Sequence, residues 1–166
     1  MKRVLLLSLF LLACGIVKGQ VISKGSLEAL KSQHLINFEA DFSNASIMYM
    51  TEEEFAQHED DWYEDKPVVI MNFLEEIHNT FKNKLIITRT ENKNYYTLKW
   101  VVINISSKGD NLSEIHIIAP NGEVVAIISN LYAEGGTFGT KLNLIKQGAS
   151  NAGEKLGKFL YKKIKK

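Results

Sequence analysis

The amino-acid sequence predicts an α+β fold. It reads as a two-layer α/β sandwich in which a long kinked helix and a C-terminal helix cover one face of a largely antiparallel sheet of about five strands. Three observations predict it. Leu142, Ile145, Ala149, Ala152, Leu156, Phe159, Leu160 and Ile164 recur at three- and four-residue spacing, one apolar stripe along a helix. Phe55, Trp62, Val69, Phe73, Ile77 and Phe81 make a second such face. Between and before these lie short runs that are wholly apolar or apolar at every second position, the mark of strands. Two amphipathic helices and one sheet bury their apolar surfaces most economically against each other.

The chain opens on a segment with the form of an export signal, Met1 to Gly19. Lys2 and Arg3 precede an apolar run from Val4 to Val17, and Val17-Lys18-Gly19 follows as a cleavage region. At about 14 residues the run is too short to cross a bilayer, which takes roughly 20, and no later run is longer, so the mature chain is not expected to span a membrane. Leu11-Leu12-Ala13-Cys14 also has the form of a lipobox, which would make Cys14 a lipidated first residue. Against that, Gly15-Ile16-Val17 stays apolar where a lipoprotein turns polar. Cleavage before Gln20 is the favoured reading, and anchoring through Cys14 the minority one.

Cys14 is the one cysteine, so an exported domain here stands on its core without disulfides. Without Lys2, Arg3 and Lys18, 17 basic residues face 19 acidic ones, and a net charge of about −2 disfavours a general nucleic-acid binder.

Residues 20–33 read as a polar lead-in with one helical turn at Leu27 to Leu30, and residues 34–166 as a single α/β domain. Ile36, Phe38, Ala40 and Phe42 alternate with Asn37, Glu39 and Asp41, a half-buried strand. Thr51-Glu52-Glu53-Glu54 has the form of a capping box. Pro67 interrupts the helical period beyond it. That predicts two helices or one kinked helix, with Pro67 near the first turn of the second piece. Leu85-Ile86-Ile87 is a short strand and Tyr95 to Ser106 the longest, with Tyr96, Leu98, Trp100 and Val102 on one side. Ile115 to Ala119 returns, Pro120-Asn121-Gly122 turns, and Val124 to Ser129 runs on toward Tyr132. In that turn both residues of Asn-Gly are expected at positive φ.

The last helix carries Ala149, Gly153 and Gly157 at intervals of four. Each helical glycine costs about 1 kcal/mol against alanine, so close backbone approach must justify them. The sheet is the expected partner.

Candidate chemistry centres on Gly135, Gly136, Thr137, Gly139, Thr140 and Lys141, a glycine-rich loop just before a helix start, where backbone N–H groups can hold an anion. A nucleotide-hydrolase phosphate loop needs lysine straight after its second glycine. Here Gly139 is followed by Thr140-Lys141, the reverse order, and that motif fails. The plain reading is a flexible strand-to-helix connection with Thr140 as cap; the alternative is a small-ligand or anion site at Gly135–Thr140.

Glu54, His58 and Asp61 would share one helical face, and Glu75 with His78 has the spacing of half a di-iron signature, but no second copy and no H-E-x-x-H is present. Both read as solvated helix faces, so no metal or cofactor is expected. The chain beyond Gly19 has no cysteine and no G-x-S-x-G, and its acidic residues neighbour one another on a helix instead of facing across a cleft. No enzyme is expected. His116 lies opposite the Ile115/Ile117 face and is expected to be exposed.

Charge is segregated. Glu52 to Asp65 holds eight acids and no lysine or arginine, while Lys155 to Lys166 holds six lysines and no acid. The lysines suit the negative end of a helix dipole and could touch an anionic surface weakly. Tyr49, Trp62, Tyr63, Tyr95 and Tyr132 are the aromatics whose exposure would mark a protein contact.

Asp41-Phe42-Ser43-Asn44-Ala45, Gly135-Gly136-Thr137-Phe138-Gly139-Thr140-Lys141-Leu142-Asn143-Leu144 and Ala152-Gly153-Glu154-Lys155-Leu156-Gly157-Lys158-Phe159 resemble a family of small exported Gram-negative proteins with no assigned activity. The match runs from about His34 to Ile164. More remotely, the element order is similar to the amino-terminal domain of TolB, and to the periplasmic domains of the curli-secretion lipoprotein and of lipoproteins that activate penicillin-binding proteins. These resemblances imply an envelope adaptor without chemistry of its own. The expectation is therefore a periplasmic or otherwise exported non-enzymatic binding domain with an envelope protein as partner.

Overall fold

The computed structural model describes residues 19–81, 85–89 and 92–164. Of the segment that reads as an export signal, Met1 to Lys18, with Cys14, lies outside them, as do Lys165 and Lys166. Strands β1 (Val21–Gly25), β2 (Leu35–Asp41), β3 (Ser46–Ile47), β4 (Ile86–Thr88), β5 (Thr97–Ile105), β6 (Asn111–Ile118) and β7 (Val124–Ala133) form one sheet. Helices α1 (Glu52–His58), α2 (Trp62–Phe81) and α3 (Lys141–Ile164) complete the α+β sandwich, with a 3-10 turn at Glu28–Ser32. None of the described helices is long and apolar enough to cross a membrane.

The sheet has seven strands in the order β1-β7-β6-β5-β2-β4, with β3 beside the end of β5. β5, β6, β7 and β1 are antiparallel neighbours, whereas β2 runs parallel to both β4 and β5, and β3 parallel to β5. The parallel return from β2 is made through α1 and α2, a connection long enough to carry the chain back. Two strands exceed the five expected. β3 is two residues long, and β1 lies within the polar lead-in. β1 is mostly exposed, so no apolar alternation marks it; hydrogen bonding to β7 recruits it.

The capping box forms at the start of α1. Thr51 Oγ1 accepts the Glu54 N–H at 3.2 Å and the Glu54 carboxylate accepts the Thr51 N–H at 2.8 Å. Of the two forms expected, two helices or one kinked helix, the chain takes two helices, divided at residues 59–61. Pro67 is the sixth residue of α2, deeper than the first turn, and its missing N–H leaves the Tyr63 carbonyl without an intrahelical donor.

All six apolar residues expected on the inner face of these helices are buried. Phe73 stacks on Trp100 at a centroid distance of 4.0 Å, and Phe42 meets Trp100 and Trp62 edge-on. Fully burying one such side chain contributes about 1.5–3 kcal/mol. The Trp62 indole N–H donates to Glu52 at 3.0 Å, and the same carboxylate holds Lys66 at 2.6 Å, so the ring is buried without an orphaned donor.

α2 and α3 lie parallel, side by side. A Cβ at Gly153 would stand 2.2 Å from the Phe73 carbonyl oxygen, and one at Gly157 would stand 2.8 Å from Thr80 Cβ. The glycines therefore face α2, not the sheet. Stripe residues such as Leu156 and Leu160 fill the core, and the bare backbone beside them admits the second helix. The 119–123 hairpin also differs from expectation. Gly122 alone of the Asn-Gly pair takes positive φ (86°), while the Asn121 side chain accepts the Glu123 N–H at 3.0 Å. This is the three-residue hairpin form, with glycine at its left-handed position.

Candidate binding surface around the Gly135 loop

The loop between β7 and α3 is clamped. The Gly135 N–H donates to Asp110 Oδ1 at 2.8 Å, and Asp110 Oδ2 accepts the Ser106 hydroxyl at 2.9 Å. Ser106 Oγ in turn accepts the N–H groups of Lys108 and Asp110, each at 3.1 Å. Three glycines bring backbones together here. A Cβ at Gly135 would lie 2.0 Å from the Lys108 carbonyl oxygen, one at Gly109 2.2 Å from that of Leu144, and one at Gly148 2.0 Å from that of Gly109. What reads as a flexible connection is a three-way backbone junction, because glycine serves close packing as readily as freedom.

Thr140 caps α3 as predicted: its Oγ1 accepts the Asn143 N–H at 3.3 Å and its carbonyl accepts the Leu144 N–H at 3.1 Å. Lys141 pairs with Glu59 at the α1–α2 junction. The first turn of α3 has no acid of its own, so Glu59 brings a carboxylate to the positive end of that helix. Gly139 takes φ +128° against Asn143. Gly136 and Thr137 line two polar grooves on either side of the loop, of about 560 and 430 Å³. The six loop residues thus divide: Gly135 and Thr140 hold the fold, Gly139 supplies left-handed backbone against Asn143, Lys141 is ion-paired, and Gly136 and Thr137 reach open grooves.

Sequence reasoning passed over Phe138, which is 91% exposed at the rim of the larger groove. An aromatic between glycines and threonines, ahead of the helix start at Lys141 and with no apolar neighbour at strand spacing, is the signal that marks it. The same groove is lined by Asn72 from α2 and by Asn143 and Lys146 from α3.

Two of the histidines, His78 and His116, make contacts within the scaffold. α1 ends at His58, so Glu54, His58 and Asp61 do not share one helix. His78 Nε2 accepts the Ile87 N–H at 3.2 Å and ties α2 to β4. His116 is half-buried, where exposure was expected, and lies 3.2 Å from Glu114. It belongs to a polar row on the sheet face away from the helices. Ser23 and Ser129 hydroxyls meet at 2.7 Å, Ser129 donates to Glu114 at 2.9 Å, and Lys99 holds Glu39 and Asp41 at 2.9 Å each. Lys99 and the Ser43 hydroxyl and N–H hold the Asp41 carboxyl well below the usual carboxylate range. Among the described residues no three His, Cys, Asp or Glu side chains are grouped to hold a metal ion.

Of the five aromatics singled out, Trp62 is buried and Tyr95 half-buried. Tyr49 is 88% exposed, Tyr63 63% and Tyr132 41%. Three C-terminal lysines are engaged within the chain: Lys155 donates to the Tyr132 carbonyl at 3.1 Å, Lys158 pairs with Glu154, and Lys163 lies over the Phe159 ring.

No family model and no curated protein matches the chain, so the resemblance to small exported Gram-negative proteins rests on its three sequence stretches. Among solved structures, the PelC dodecamer from Paraburkholderia phytofirmans is similar at 11% identity and a TM-score of 0.39, over 83% of this chain and 98% of that one. A point variant of the same protein gives 14% identity and a TM-score of 0.38, over 83% and 95%. At that level the likeness is a remote one.

Proposed function

We propose that this chain is an exported, non-enzymatic adaptor domain of the cell envelope that works by binding another protein. The observation that carries this reading is Tyr49. Met50 N–H bonds to the Ile47 carbonyl at 3.0 Å, closing a tight turn in which Met48 and Tyr49 take φ of 50° and 71°. Such turns favour Asn-Gly, because a side chain in the left-handed region costs about 1–2 kcal/mol. Backbone strain at an exposed aromatic is what a recognition residue accepts in exchange for presentation to a partner. Tyr63, exposed at the start of α2, adds a second such ring.

The test is capture from an envelope fraction with the chain beginning at Gln20. One envelope protein should be retained by the wild type and lost with Tyr49→Ser at unchanged Tm. Equal capture by both would sink the reading. Export has its own test: mass spectrometry of the protein from its native host should find Gln20 at the amino terminus, whereas a diacylated Cys14 would make it a lipoprotein.

A further inference from the structure

We propose that the groove between the Gly135 loop and α2 binds a segment of acidic glycan, a function separate from the protein contact at Tyr49. The groove, about 560 Å³, lies over the solvent side of α3. Asn72, Asn143, Gln147 and Ser150 give it three amides and a hydroxyl, and Phe138 stands at its loop edge. Each of those polar groups both donates and accepts hydrogen bonds, as does every hydroxyl of a sugar ring. Few other ligand classes present such a dense set of paired donors and acceptors.

The lining also excludes alternatives. Phe138 is its one large apolar side chain, so an acyl chain or a flat apolar ligand finds no floor. No carboxylate lines it and Lys146 is its one cation, so a cationic ligand gains nothing there, whereas a ligand carboxylate gains a charge-assisted hydrogen bond. Asn72, Asn143, Lys146 and Ser150 make no side-chain hydrogen bond or ion pair among the described residues, so their polar groups are free to meet a ligand. The rim is held in place. The Gln147 amide donates to Asn151 Oδ1 at 3.1 Å, and Asn151 donates to the Glu134 carbonyl at 2.8 Å.

Phe138 offers the groove a ring face. The fold makes no use of its ring, which is 91% exposed between Thr137 and Gly139. The negative π face of a phenyl ring attracts the weakly positive C–H groups on one side of a pyranose, while the hydroxyls around that sugar's edge remain free for amides. A bare anion would need the lysine and not the ring.

The experiment is a glycan array probed with the whole chain from Gln20. It should carry oligogalacturonates and other uronic-acid oligomers beside neutral malto- and cello-oligosaccharides. Acidic glycans should be retained at least tenfold better than neutral ones. Phe138→Ala and Lys146→Ala should each weaken that retention about tenfold at unchanged Tm. Lys163→Ala, at the far end of α3, should leave it unchanged and so exclude non-specific charge attraction, and Tyr49→Ser should also leave it unchanged. The proposal is overturned if no acidic glycan is retained above the neutral set, if Phe138→Ala binds as well as the wild type, or if inorganic phosphate displaces the glycan at equal concentration.

Discussion

Two tight turns in this chain use left-handed backbone with opposite choices of residue. At 119–123, Gly122 takes φ 86° with nothing within 4 Å of where a Cβ would stand. At 47–50, Met48 and Tyr49 adopt the same region of φ with full side chains. Both turns close with the usual backbone bond: Gly122 N–H to the Ala119 carbonyl at 2.9 Å, Met50 N–H to the Ile47 carbonyl at 3.0 Å. Chain reversal needs no tyrosine, and one turn was relieved of strain where the other was not. The Gly122 turn answers to folding alone, whereas the Tyr49 turn retains a ring that folding does not use.

Gly109 combines the two demands, since left-handed φ (79°) coincides there with a Cβ position 2.2 Å from the Leu144 carbonyl oxygen. Gly109→Ala adds backbone strain to overpacking and should cost about 3 kcal/mol in denaturant unfolding. A cost no larger than that of Gly122→Ala would mean that the three-way junction yields freely. Gly153→Leu isolates the packing effect, since no left-handed φ is involved. It should destabilise by roughly 1–3 kcal/mol despite leucine's better helix propensity, and a Tm at or above wild type would refute the α2–α3 contact.

Gly122→Ala isolates the conformational effect and should cost about 1–2 kcal/mol. Tyr49→Gly should move the other way, stabilising by about 1 kcal/mol, or a few degrees in Tm, because relief of strain exceeds the added freedom of the unfolded chain. A loss of stability on Tyr49→Gly would show that the ring packs after all. Comparable in size is Thr140→Ala, about 1 kcal/mol for loss of the α3 cap, measured against Lys141→Ala, which changes an exposed ion pair and should be nearly neutral.

The smallest effect is that of pH. Asp41 orders the turn that leads into β3, accepting the Ser43 N–H at 2.9 Å and its hydroxyl at 2.6 Å. Its folded-state pKa lies below its unfolded value of about 4, so its contribution is present above that pH and is lost as pH falls through the folded value. Acid titration of wild type against Asp41→Asn should show wild type losing its advantage below about pH 4. Parallel curves down to about pH 2 would remove Asp41 from the account.

Features settled within a turn or two of the chain are legible in the sequence. The Thr51 capping box, the Thr140 cap, the alternation of β2, the apolar faces of α1, α2 and α3, and the need of Gly153 and Gly157 for a close neighbour all depend on contacts between residues a few positions apart, or on which side of an element a residue falls. What meets that side depends on how the elements assemble. The tertiary structure put α2 instead of the sheet against Gly153, recruited the polar β1 onto β7 through backbone hydrogen bonds that no side-chain pattern records, and made Gly135 a packing residue. It also brought Asn72 to the same groove as Phe138, across 65 residues of chain. Spacing along a chain specifies a direction from the backbone; which partner fills that direction depends on how separate elements share one core, and no local pattern encodes that.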